Sequence, residues 1–313
     1  MEATKTNAAI GESQPTSRKD VYSIVNERII EKLEQGTVPW QQPWTVAGVP
    51  MNGISKRAYR GINVMLLAML GYEHNIFMTF KQIKEIGGSV KRGEHGNMVV
   101  FWNYVERNEA QKERTDGTPL EEMAKKVPML RYYSVYNVAQ CEGIPEKYLA
   151  KAAHNWEPIQ KCDEIVSGMP KQPRIVHSKQ SAFYDPLKDY VNMPKYNSFV
   201  RPEAFYSTLF HELVHSTGHN SRLERKGLLE MAEFGSEPYS QEELVAEIGT
   251  CYLQSYAGII TEFEQSAAYI EHWLKVLRGD HRFIFTAFTL AQKATDFILN
   301  IKDEVEDSEQ KSV

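Results

Sequence analysis

The stretch Thr208-Leu-Phe-His-Glu-Leu-Val-His-Ser-Thr-Gly-His219 constrains this chain more than any other. It contains His211-Glu212-Leu213-Val214-His215, an H-E-x-x-H spacing. On a helix, residues four apart lie on one face, so a helix over 204–218 would let His211 and His215 grip one metal ion. Glu212 would project beside them, placed to take a proton from water. The same five letters also fit ordinary histidines on an amphipathic helix, so the reading turns on a third ligand.

Catalytic zinc sites take three protein ligands and leave one position open. Downstream, Ser240-Gln-Glu-Glu-Leu-Val-Ala-Glu-Ile-Gly249 offers Glu243 and Glu247 on one helix face, with Glu242 about 100° round. Glu243 is preferred as the ligand, since in glutamate-ligand zincins the metal carboxylate comes first and an acidic or amide partner follows four later. Glu247 would then accept a hydrogen bond from a ligating imidazole and fix its tautomer. The reverse assignment of the pair stays open. His219 is a rival ligand, although the H-E-x-x-H-x-x-G-x-x-H pattern asks for histidine where this chain has Ser221, so a cap or a place behind the ligands suits it better. The expected ion is Zn2+ or another divalent cation. A strand over 189–194 would run at the edge of the cleft beside an extended peptide. Tyr190, Tyr196 and Tyr206 are either oxyanion donors or packed aromatics.

The chain has 313 residues, enough for roughly two domains. No apolar run reaches the ~20 residues that span a bilayer, and the N-terminus lacks the apolar core of a signal peptide. Cys141, Cys162 and Cys251 are far apart and give neither a zinc knuckle nor a disulfide framework. A cytoplasmic protein without membrane partners is expected. Periodicity predicts disorder over 1–17, helices over 19–35, 63–70 and 78–86, and strands over 97–105 and 130–138 flanking an exposed charged loop. Beyond these come a helix over 159–168, short strands over 174–177, 181–184 and 189–194, helices over 204–218, 241–256, 262–278 and 282–301, and a disordered acidic tail over 303–313. The fold class is therefore α+β. A small α+β domain spans 18–145, and a mainly helical domain with a short edge sheet spans 146–302.

Net charge is −5, which excludes a uniformly basic nucleic-acid binder. Locally, Lys56, Arg57, Arg60, Lys81, Lys84, Lys91 and Arg92 face only Glu73 and Glu85 over 52–93. Trp40, Trp44, Tyr59, Phe77, Phe80, Trp102 and Tyr104 interleave with them. Exposed aromatics for stacking, with cations along the backbone, are what single-stranded nucleic-acid binding uses. The same aromatics equally fit the core of a small domain. Trp40 and Trp44, in the proline-broken loop Pro39-Trp40-Gln41-Gln42-Pro43-Trp44, look least core-like.

These motifs carry a resemblance. Pro39-Trp40-x-x-Pro43-Trp44, Asn52, Tyr59-Arg60-Gly61-Ile62-Asn63, Thr79-Phe80-Lys81-Gln82, Gly87-Gly88, Lys91-x-Gly93 and Tyr136-Asn137-Val138-x-Gln140 resemble the single-stranded DNA-binding domain of the ArdC antirestriction family. Asp189, Met193-Pro194, Phe205-Tyr206 through His219, Arg222-Leu223 and Glu242-Glu243-Leu244-Val245-Ala246-Glu247-Ile248-Gly249 resemble its zincin-like metallopeptidase domain. The resemblance covers about 18–300. It implies a plasmid-encoded protein that protects entering single-stranded DNA from host restriction during conjugation, with a restriction enzyme or another protein as the peptidase target. It makes Trp40, Trp44, Lys56, Arg57, Tyr59, Arg60, Asn63, Lys81, Lys91, Arg92 and Trp102 the candidate DNA contacts. Two alternatives remain: a DNA-binding protein whose metal site is structural or disused, and a metallopeptidase with no DNA role.

Overall fold

The computed structural model describes residues 20–41, 49–107, 125–149, 158–225, 237–259 and 267–301. The N-terminal 1–17, Trp44, most of the charged loop, the side chain of Tyr104 and the 303–313 tail lie outside the described residues.

Helix α1 (Val21–Glu34) starts where the Asp20 carboxylate accepts a hydrogen bond from the Ser23 amide at 2.7 Å. It stops before Gly36, whose φ of +76° is cheap only for glycine. Its buried stripe is Val25, Ile29 and Leu33. Next come β1 (Met51–Asn52), α2 (Ile62–Ala68), β2 (Ile76–Thr79) and α3 (Phe80–Glu85). The 78–86 stretch therefore divides into a strand and a helix rather than forming one helix. Thr79 and Gln82 make reciprocal side-chain-to-backbone caps, which start the helix at Phe80.

Strands β3 (Ser89–Val90), β4 (Asn97–Arg107), β5 (Lys125–Asn137) and β6 (Cys141–Glu142) follow, then α4 (Glu146–Leu149). The main sheet has the order β1-β2-β5-β4; β1 and β2 are parallel and the other pairs antiparallel. β4 is an edge strand, a position that leaves backbone groups unpaired. Asn63 covers that edge, since its Nδ2 donates to the Val100 carbonyl and its Oδ1 accepts from the Val100 amide, both at 2.8 Å.

The second half comprises α5 (Pro158–Gly168), β7 (Arg174–Val176), β8 (Phe183–Asp185), β9 (Tyr190–Asn192), α6 (Pro202–Ser216), α7 (Glu237–Ala257), α8 (Ala267–Gly279) and α9 (Phe283–Ile298). The small sheet has the order β7-β9-β8, so the strand expected at the cleft edge is the central one. Val191 and Asn192 are buried there, with neighbours on both sides. Among the described residues, no helix is long and apolar enough to cross a membrane.

The halves share a core. One cluster of buried side chains runs from Val25, Ile29, Leu33 and Trp40 to Phe210, Leu244, Trp273 and Phe288. Asn26 Nδ2 donates to the Leu277 carbonyl in α8 at 2.7 Å. Arg60 is ion-paired with Asp296 of α9, the Gly61 amide donates to Gln292 Oε1 at 2.9 Å, and Tyr252 of α7 donates to the Gly61 carbonyl at 2.7 Å.

Candidate metal centre

Pro202 opens α6, where a missing amide hydrogen costs nothing. Phe205, Leu209, Phe210, Leu213 and Val214 bury against the second-half core and leave His211 half-buried toward α7. The approach of α6 to α7 depends on Gly249. A Cβ there would stand 2.8 and 2.9 Å from the two Val214 methyls. Only glycine lets the helix with the histidines lie this close to the helix with the glutamates.

Across that contact, His211 Nε2 and His215 Nε2 are 3.1 Å apart. Glu243 Oε2 lies 3.5 Å from His211 Nε2, and Glu243 Oε1 lies 3.6 Å from His215 Nε2. Donor atoms ~2.0–2.1 Å from one tetrahedral ion would be about 3.3 Å from each other. The three side chains thus match the spacing that a single cation imposes, and they are the one such group among the described residues.

Behind the ligands, Glu242 Oε1 accepts from His215 Nδ1 at 3.2 Å. A carboxylate only accepts, so Nδ1 carries the hydrogen, and Nε2, facing His211 and Glu243, is the nitrogen whose lone pair a cation would take. Glu242 is itself clamped by Arg225, whose Nε donates to Oε2 at 2.9 Å and whose Nη2 donates to Oε1 at 2.5 Å. Arg225 also donates to the Val214 carbonyl at 2.8 Å, which ties the clamp to the end of α6. Burial acts to raise the Glu242 pKa, but hydrogen bonds from Arg225 and His215 outweigh it and hold the carboxyl below its usual range. Burial likewise acts to lower His215, and Glu242, then Glu243 and Glu212, outweigh that and raise it. Glu212 is buried on the same turn of α6.

Glu247 is not in the converging group. Its Oε2 accepts from Trp40 Nε1 at 3.1 Å and from the Tyr269 hydroxyl. Burial raises its pKa, opposed by the hydrogen bonds from Tyr269 and Trp40. His219 is also outside the group. Its Nδ1 is 2.9 Å from Ser221 Oγ, and it stands 3.9 Å from Asp189 Oδ2. Tyr206 donates to Asp163, Tyr190 packs on Phe183, and Tyr196 packs on Phe205, so these tyrosines have packing partners. Arg222 joins the helix end to the small sheet, donating to the Ser216 carbonyl at 2.7 Å and to both Asp189 oxygens.

The candidate DNA contacts divide in two. Trp40 is fully buried and Phe77 is core, so neither presents a face for stacking. Tyr59 is half-buried against Phe77, with ring centroids 6.3 Å apart. Arg60 and Asn63 are held by Asp296 and Val100, as described, and serve the junction and the sheet edge. Lys56, Arg57, Lys81, Lys91 and Arg92 are exposed, and Lys91 reaches the Ala139 carbonyl at 2.9 Å. Trp102 is 49% exposed, Tyr132 54% and Phe80 52%. Trp102 and Tyr132 project from one sheet face, since the register pairs Trp102 with Leu130 and Val100 with Tyr132. Trp102 also walls a cleft of about 220 Å³ with Tyr22, Arg282 and Phe285. Sequence reasoning missed Arg225, Tyr269 and Tyr132 and gave Glu242 no role. Only Glu242, beside Glu243, offered a signal.

Two family models match in tandem. The N-terminal domain of anti-restriction factor ArdC matches residues 19–136, and a zincin-like metallopeptidase matches residues 161–290. The DNA primase TraC of Escherichia coli is 34% identical over 90% of this chain, which spans 27% of that relative's length. The uncharacterized protein y4eC of Sinorhizobium fredii is 32% identical, over 91% of this chain and 93% of its own. Crystal structures of the antirestriction ArdC protein from plasmid R388 superpose with TM-scores of 0.72 (metal-free, 38% identical) and 0.71 (Mn(II)-bound, 36% identical), each covering 90% of this chain and 97% or 98% of that one. Matched in both halves, in order and along nearly the whole of the R388 protein, this chain belongs to the ArdC antirestriction family.

Proposed function

We propose that this protein holds single-stranded DNA on its N-terminal sheet and cleaves a protein target at a divalent metal centre, protecting entering plasmid DNA from restriction. The observation that carries the catalytic half is the convergence of His211, His215 and Glu243 beside buried Glu212. The Mn(II)-bound R388 relative supports a divalent cation, and the imidazole and carboxylate donors suit Zn2+ as well. A cation bound there would supply Lewis-acid polarisation of a scissile carbonyl. Glu212 takes the proton from the attacking water and returns it to the leaving nitrogen. Glu242 and Arg225 hold His215 in the tautomer that ligation requires.

The DNA half rests on the exposed rings of Trp102, Tyr132 and Phe80 and on the exposed cations Lys81, Lys91 and Arg92 of the same half. Each stacked base contributes ~1–3 kcal/mol, and the cations track the backbone.

Glu212→Gln tests the catalytic half. It keeps size and polarity but cannot accept the proton as a base. Metal binding should survive, while cleavage and antirestriction in a conjugation assay fall roughly 10²- to 10⁴-fold. Full antirestriction with metal and fold retained would mean that the protein acts by occupying DNA, without hydrolysis. For the DNA half, a gel shift with a labelled oligonucleotide should weaken with salt at a log–log slope of about −0.7 per phosphate contacted. Trp102→Ala should weaken it further. A flat salt response sinks the DNA reading.

A further inference from the structure

Trp40 belongs to the N-terminal half by sequence, yet its indole is fully buried against α7 and α8. The ring meets Trp273 edge-on, with centroids 5.8 Å apart at 88°. Its one donor N–H, at Nε1, points at two acceptors, Glu247 Oε2 at 3.1 Å and the Tyr269 oxygen at 3.4 Å. Tyr269 in turn donates to the same Glu247 oxygen. Glu247 lies one helical turn beyond Glu243, on the same face of α7. The Glu247 carboxylate could adopt several rotamers. Two donors that converge on one oxygen fix which rotamer it adopts.

We propose that Trp40 is a positioning residue of the metal centre. Its N–H, with the Tyr269 hydroxyl, fixes the Glu247 carboxylate one helical turn from Glu243, so the N-terminal half helps set the geometry of a site carried by the C-terminal half. The proposal rests on the metal reading above. The oxygen it fixes does not belong to a ligand, so the effect reaches the ion through Glu247 and the face of α7 that it shares with Glu243. Direct partners of metal-bound histidines typically change affinity about 10- to 100-fold when removed. Trp40 is one step further out and should have a smaller effect.

Mn2+ alone, titrated into the full chain by calorimetry, provides the probe. Trp40→Phe keeps an aromatic ring against Trp273 and removes the N–H. It should weaken Mn2+ binding by about fivefold. The same change in a Glu247→Ala background should cost nothing further, because the acceptor through which Trp40 acts is already gone. If Trp40→Phe does not fold, replacing Trp40 with benzothienylalanine removes only the N–H at nearly constant shape. Unchanged Mn2+ affinity on loss of the N–H would overturn the proposal. So would an equal loss with and without Glu247→Ala, which would mean that the indole only supports the fold. Failure of the wild-type chain to bind Mn2+ at all would instead overturn the metal reading, and this proposal with it.

Discussion

Gly249→Ala perturbs the site without touching a ligand, and its size follows from two opposed effects. Alanine is the better helix former by about 1 kcal/mol in a helix interior. Against this, the new Cβ would stand 2.8 and 2.9 Å from the two Val214 methyls. Ordinary contact begins at about 3.4 Å, so the helices must part by roughly 0.6 Å on the closer side. Turning Val214 gives little relief: both methyls are involved, and valine in a helix strongly prefers one rotamer. Overpacking of this kind costs about 1–3 kcal/mol, which leaves a net destabilisation of about 1 kcal/mol after the helix gain. The effect on the ion should be larger in relative terms. The histidines and Glu243 sit on opposite sides of that contact, and metal sites tolerate distance errors of about 0.2 Å. Urea unfolding of the metal-free chain measures the first quantity and Mn2+ titration the second. Val214→Ala removes the obstructing methyls, so it should restore metal affinity in the double variant even though it leaves a cavity by itself. A Gly249→Ala chain that gains the full helix-propensity increment and binds Mn2+ unchanged would refute the argument that helix spacing builds the centre.

Two further outcomes follow from the polar groups around the site. Glu242→Gln leaves Arg225 buried without its charge partner and should destabilise the chain by about 3 kcal/mol in urea unfolding, while weakening Mn2+ binding about 10-fold or more; a loss confined to stability would remove Glu242 from the centre. Asp189 is depressed: burial acts to raise it, but hydrogen bonds from Arg222 and Tyr184 prevail. Its contribution is therefore present above the unfolded carboxylate value of about 3.9 and is lost as pH falls through the folded value, so Asp189→Asn should flatten the acid limb of stability below about pH 4, read from urea midpoints.

The parts of the site that sequence made legible follow from local periodicity. A helix is regular, so His211 and His215 could be placed on one helix face and Glu243 with Glu247 on another, with the choice between the two glutamates left open. What stayed hidden depends on which elements meet. Glu242 lies about 100° from Glu243, and whether that direction is solvent or the back of His215 depends on where α6 lies. Trp40 looked exposed because its loop is proline-broken, but its burial comes from α7 and α8, more than 200 residues away. Arg60 read as a phosphate contact for the same reason, since nothing nearby announces Asp296. Strands of three residues, such as β9, carry no information about their order in a sheet. The expected disorder at both chain ends falls outside the described residues.

The continuous core between the halves has a consequence for inheritance. A unit joined only by a tether can be copied or lost by itself. Here α1 is fastened to α8 at Leu277, Trp40 lies in the helical core, and Gly61 is gripped by α7 and α9. Cutting the gene near position 145 would open those surfaces on both fragments to water. Recombination that moves one half without the other should therefore yield unstable products. The match to a much longer primase covers 90% of this chain, both halves together, as expected of a cassette that travels intact.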